Sequence, residues 1–122
     1  MEFEGIFNGK HMLTADGREF PIPANYISKS KLLEGDGMML YMNDGRMLYK
    51  QVKPVERNFG IGTAVEVDEI IMIRMGDDIY EVPNASISFF GIEPGDEVMI
   101  VTPKEKKSNY AAVEGVISKM KM

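Results

Sequence analysis

Short runs of alternating apolar and polar residues fill most of this chain, and the runs are stopped by Gly, Asp, Asn or Pro. Alternation with a period of two puts successive side chains on opposite faces of a strand, so the pattern predicts short strands joined by tight turns. Residues 11–15 and 18–23 flank Asp16-Gly17, and residues 70–75 and 78–82 flank Gly76-Asp77. Each pair is expected to form a two-residue hairpin, because Gly tolerates the positive φ that such turns need. After Pro23 and Pro83, Asn25 and Asn84 are the candidate caps of a brief helix reaching Ser30 or Ser88. Gly35-Asp36 and Gly95-Asp96 then turn the chain, the glycine supplying an unusual backbone angle and the aspartate accepting bonds from nearby amides. Residues 38–42 are expected to meet 46–52 across Asn43-Asp44-Gly45, and 98–102 to meet 110–117 across the basic segment 103–109.

The same pattern occurs twice. Displaced by 60 positions, Phe20 matches Tyr80, Ile22 matches Val82, Pro23 matches Pro83, Ile27 matches Ile87 and Leu32 matches Ile92. Gly35-Asp36 matches Gly95-Asp96, and Met38 and Leu40 match Val98 and Ile100. After a two-residue insertion, residues 47–55 run against 109–117. The chain therefore reads as one domain, 1–122, holding repeats 5–55 and 61–117. A unit of about 55 residues cannot cover its own apolar sheet face, so two copies should close over a shared core. The expected fold is mainly β: a small closed β-barrel of two homologous ββαββ-like repeats with pseudo-two-fold symmetry and short helical turns. Phe20, Ile22, Met38, Leu40, Tyr80, Val82, Val98 and Ile100 are the predicted core. Met39, Tyr41, Met99 and Val101 fall on the opposite face and form a candidate protein-contact surface.

Composition fits this reading. With 122 residues, 44% of them hydrophobic and 27% charged, the chain is a folded single domain rather than a disordered one. No Cys is present, which excludes disulfides, thiolate metal sites and cysteine nucleophiles. The net charge of -5 is unevenly placed: residues 1–58 carry eight basic and eight acidic side chains, residues 59–122 six and eleven. An acidic balance argues against non-specific binding to phosphate backbones, whose strength comes from Lys and Arg displacing counterions. Acids at Glu2 and Glu4 stand where a secretion signal needs bases, and no apolar run approaches a membrane span, so a cytoplasmic protein is expected.

Gly17 to Pro23, a short helix, Lys31 to Asp36, Met38 to Met42, Asp44-Gly45 and Met47 to Lys53 together resemble the swapped-hairpin barrel of the AbrB and MazE transcription-factor family. The second unit resembles it mainly through Val82-Pro83 and Ile92 to Val98. The Gly-Asp turn (Gly35, Asp36, Gly95, Asp96) is shared with other cradle-loop folds, including double-psi barrels. In that family two chains interlock, and the MraZ regulators carry both halves in one chain. The resemblance implies DNA binding, with Arg18 at the family's arginine after the hairpin glycine and Lys29, Lys31, Arg46, Lys50 and Lys53 as further candidate nucleic-acid contacts. The second unit departs from that pattern, because Asp77-Asp78 stands where Gly17-Arg18 stood and acids facing phosphate repel it.

Catalytic signals are thin. His11 is the only histidine, which excludes a histidine metal cluster, and its place among strand residues suits a structural role. Ser28, Ser30, Ser86, Ser88 and Ser108 lack a nucleophile-elbow context. The chain has no Gly-Ser bond of the kind cleaved in self-processing double-psi decarboxylases. Gly60-Ile61-Gly62 lacks the remainder of a dinucleotide loop, and Glu34-Gly35-Asp36-Gly37 lacks the ligand spacing of a calcium loop. The eleven methionines suit adaptable core filling. The expectation is a non-enzymatic binding module without metal or cofactor, monomeric or homodimeric, contacting a protein or macromolecular assembly. The alternative is an AbrB-like DNA- or RNA-binding regulator acting through the first repeat.

Overall fold

In the computed structural model, which describes residues 1–119, one series of elements occurs twice. The first is β1 (Glu2–Phe7), β2 (His11–Thr14), β3 (Glu19–Pro21), α1 (Ala24–Ser30), β4 (Gly37–Asn43) and β5 (Arg46–Lys53). The second is β6 (Arg57–Val67), β7 (Ile70–Met75), β8 (Asp78–Tyr80), α2 (Asn84–Phe90), β9 (Glu97–Pro103) and β10 (Ala112–Ser118). The strands form two five-stranded antiparallel sheets, ordered β3-β2-β1-β4-β5 and β8-β7-β6-β9-β10. Each sheet draws all of its strands from one half of the chain. One sheet curls into a half-barrel, and contacts run between the outer strands of each: the Tyr49 hydroxyl on β5 donates to the Pro21 carbonyl on β3, and Ala111 N, before β10, donates to the Glu81 carbonyl, beyond β8, at 2.9 Å. Among the described residues no helix is long and apolar enough to cross a membrane.

The local chemistry differs from expectation in two places. The β2–β3 loop has three residues, not two, since Thr14 N donates to Arg18 O at 2.9 Å. The cause is Thr14, whose Oγ1 accepts from Arg18 N at 3.1 Å and donates to Asp16, drawing the loop into a wider turn closed by left-handed Gly17. Gly76-Asp77 is the two-residue turn expected, with Met75 opposite Asp78. Neither Asn25 nor Asn84 caps a helix; Pro23 and Pro83 hold the N-cap positions without a side-chain bond, their rigid φ setting the entry of each helix. Both helices end on a left-handed residue, Lys31 (φ 49°) and Gly91 (φ 61°), and α2 continues two residues past Ser88.

The interior is divided. Phe7, Met12, Ile22, Leu32, Met38, Leu40 and Tyr49 cluster under the first sheet, and Ala64, Ile73, Val82, Ile92, Val98, Ile100, Ala111 and Val113 under the second. Phe20 and Tyr80 are half-buried against these clusters. The halves are joined by polar bridges, such as Ser28 Oγ with Ser86 Oγ at 2.7 Å, and by apolar contacts. Tyr110 leaves its own half to pack on the first cluster, its ring centroid 5.7 Å from that of Phe7, and Leu33 with Val55 covers Val101 and Ala112.

Candidate functional site

Strand β6 is packed inside out. Its core-facing positions are Gly60, Gly62 and Ala64, while Phe59, Ile61, Val65 and Val67 project from the other side. A small residue is required at Gly62, where a Cβ would lie 2.6 Å from Ile73 Cγ2 and 2.7 Å from the Arg74 carbonyl, whereas one at Gly60 would meet only the flexible end of Met75. The outer side has no such constraint, yet it is apolar: Phe59 is 63% exposed, Ile61 49%, Ile70 53% and Ile79 45%. Cross-strand pairing sets Ile61 beside Met99, Val65 beside Met72 and Val67 beside Ile70. The edge of this face at Val101 and Ala112 is already covered by Leu33 and Val55; the β6–β7–β8 part is open. Asp68-Glu69 and Gly76-Asp77 form the turns at its two ends, and Thr63 on the face itself pairs with Glu97 on one side and Arg74 on the other. The corresponding outer positions of β1 are Glu2 and Glu4, opposite Tyr41 and Met39.

The contact surface expected from the sequence does not form one face. Met39 and Tyr41 are half-buried on the first sheet, Met99 is half-buried on the second, and Val101 is only 1% exposed because Leu33 of the first half lies on it. Of the basic candidates, Arg46, Lys50 and Lys53 are brought together along β5, which carries no acid and exposes Met47, Leu48 and Val52 between them. Arg18 sits at the β2–β3 turn, paired with Asp16 at 3.1 Å and stacked over Phe3. Lys29 ends α1, and Lys31 reaches Glu114 at 3.5 Å.

The turn aspartates are structural centres. Asp36 is fully buried after left-handed Gly35 and accepts from Leu33 N at 2.7 Å, Val55 N at 2.8 Å, Gln51 Nε2 at 2.9 Å and both Arg57 amino groups at 3.0 and 2.7 Å. Asp96, 1% exposed after left-handed Gly95, accepts from Glu93 N at 2.9 Å and Lys119 Nζ at 2.7 Å. The hydrogen bond to Asp96 is the main cause holding the Lys119 ammonium above its ordinary range. Sequence reasoning missed Arg57 and Lys119, although the 62-position offset after the insertion superposes one on the other.

A polar cleft of about 730 Å³ separates the β1–β2 turn from segment 103–109, lined by Asn8, His11, Glu34, Glu81, Ser108 and Tyr110 among others. Of its acids Glu19, Glu34 and Glu81, Glu34 contacts Lys106 at 2.9 Å and accepts from Ser108 Oγ at 2.8 Å. Lys106 first, then Ser108, holds the Glu34 carboxyl below its usual range. His11 Nδ1 stands 3.6 Å from Glu19. Burial, aided by the Asp36 charge, pushes the Tyr110 hydroxyl upward, so it stays protonated. Among the described residues no three His, Cys, Asp or Glu side chains stand close enough together to hold a metal ion.

No family model, curated protein or solved structure matches this chain. A functional reading therefore rests on this chain's own geometry, and the open apolar face of β6–β8 is its most distinctive feature.

Proposed function

We propose that the protein is a non-catalytic binding module that docks a protein or larger assembly on the outer face of its second sheet. The observation that carries this reading is the inversion of β6, with glycines on the core side and Phe59 and Ile61 facing solvent. Folding gains nothing from exposed apolar side chains, whereas covering them releases roughly 25 cal/mol per Å². Interfaces set apolar patches among charged residues: here Phe59 and Ile61 lie on one side of the polar row Glu97-Thr63-Arg74, Val65, Val67 and Ile70 on the other, with Asp68, Glu69 and Asp77 at the ends. The test is capture of partners from source-cell extract by the full chain. Phe59→Ser should fold as the parent does and lose the captured partner; capture equal to the parent's would overturn the reading.

We also read the two halves as a tandem duplication of one Gly-Asp-turn unit of the AbrB/MazE kind, each unit a barrel-like sheet closing on its own edges. Supporting this are the common strand order, the equivalent turns at Asp36 and Asp96, and the cations Arg57 and Lys119 at matched positions. A second reading, nucleic-acid contact through the first unit, draws on the acid-free strand β5 with Arg46, Lys50 and Lys53. Duplex DNA affinity that falls steeply with added salt would favour it.

A further inference from the structure

Two surfaces of this molecule complement each other in charge and in apolar character. The first is the outer side of β4–β5, where Leu48 (65% exposed) pairs with Tyr41, and Lys50 pairs with Met39. Arg46 stands at one end and Lys53 at the other, with no acid in β5. The second is the open face of β6–β8, apolar at Ile61, Val65, Ile70 and Ile79 and acid at Glu97 and at both end turns. The minority charges also match: Arg74 is the base on the second face, and Glu2 and Glu4 are the acids beside Tyr41 and Met39 on the first.

Resting on the reading of β6 as a docking face, we propose that its partner is a second copy of this chain, with the basic outer side of β4–β5 in one molecule seated on the acidic, apolar face of β6–β8 in the other. Two such contacts, related by a two-fold axis, close a dimer in which each first half faces its partner's second half; a single contact repeated makes a chain. The nine residues from Phe59 to Val67 span roughly 27 Å, and adjacent strands stand about 4.8 Å apart. This gives at most about 390 Å² for one contact, so only the two contacts of the closed dimer together approach the roughly 800 Å² that each partner buries in a standard interface. The acidic excess of the second half then has a role: it keeps two second halves apart, while Arg46, Lys50 and Lys53 of β5 are drawn toward it.

Sedimentation velocity of the full chain over a range of concentrations tests this. The parent should assemble into dimers or longer species, weakened at high salt. Leu48→Asp and Ile61→Asp, both at exposed positions, should each leave monomers, and an equimolar mixture of the two should associate again, since each supplies the face the other lacks. A parent that stays monomeric throughout, or a mixture that shows no rescue, overturns the proposal. If the parent is monomeric while Phe59→Ser still abolishes capture from extract, only the identity of the partner falls and the docking face stands.

Discussion

Arg57 closes on Asp36 from 21 positions further along the chain, with Nη2 2.7 Å from Oδ2 and Nη1 3.0 Å from Oδ1. The same guanidinium donates to the carbonyls of Lys31 and Val55, at 2.9 and 2.8 Å. It thus ties the turn after α1 to the linker between the sheets. Removing it strands a buried carboxylate, so Arg57→Ala should cost about 3 kcal/mol or more in urea unfolding. Arg57→Lys should recover only part, lacking the planar fork. Lys119 on Asp96 is half-exposed, and Lys119→Ala should be far milder than Arg57→Ala. Asp36→Ala and Asp96→Ala should each cost about 1 to 3 kcal/mol, for amides left without acceptors.

The contact of Glu34 with Lys106 and Ser108 joins the halves and should respond to acid. Its folded-state titration lies below the ordinary 4.5, so its contribution is complete above that value and is lost as pH falls through the lower folded one. Glu34→Gln should flatten the decline in melting temperature below about pH 4.5. An unchanged acid limb in the variant would refute this role.

Gly60 and Gly62 separate rigid from yielding neighbours. An added methyl at Gly62 meets the Arg74 backbone and Ile73, which cannot move without shifting β7, whereas at Gly60 it meets the flexible end of Met75. Thermal unfolding should therefore show Gly62→Ala destabilised by about 1 to 3 kcal/mol, with Gly60→Ala distinctly milder.

The helix ends make a reciprocal pair. Lys31 occupies at φ 49° the left-handed position that Gly91 occupies at φ 61°. Lys31→Gly should gain up to about 1 kcal/mol, reduced by loss of its contact with Glu114, and Gly91→Ala should lose about as much. Chemical denaturation of the two variants checks the sign.

Much of this fold was legible in the sequence because its markers are local. Gly35-Asp36, Gly95-Asp96 and the prolines before each helix fix backbone angles without reference to the remainder of the chain, and alternation identified Met38, Leu40, Val98 and Ile100 as buried. What was hidden depends on distant neighbours. Arg57 and Lys119 look like ordinary surface charges until Asp36 and Asp96 are folded against them. Val101 alternates outward and is buried only because Leu33 comes from the other half. The open face of β6 had a visible signal, the run Phe59-Gly60-Ile61-Gly62-Thr63-Ala64, but which side of a strand faces the core cannot be read without its partners. The large residues of this run alternate as a core face would, and only the tight approach of β7 shows that the glycines lie within.

The most direct test of the account is hydroxyl-radical footprinting of the full chain, read at Phe59 and Ile61 from dilute to concentrated solution and again in source-cell extract. The account predicts strong labelling of both side chains in dilute buffer, and loss of that labelling when the chain is concentrated or its partner is present. Equal labelling of Phe59 and Ile61 under every condition would contradict it, since the face would then be bare in the working protein.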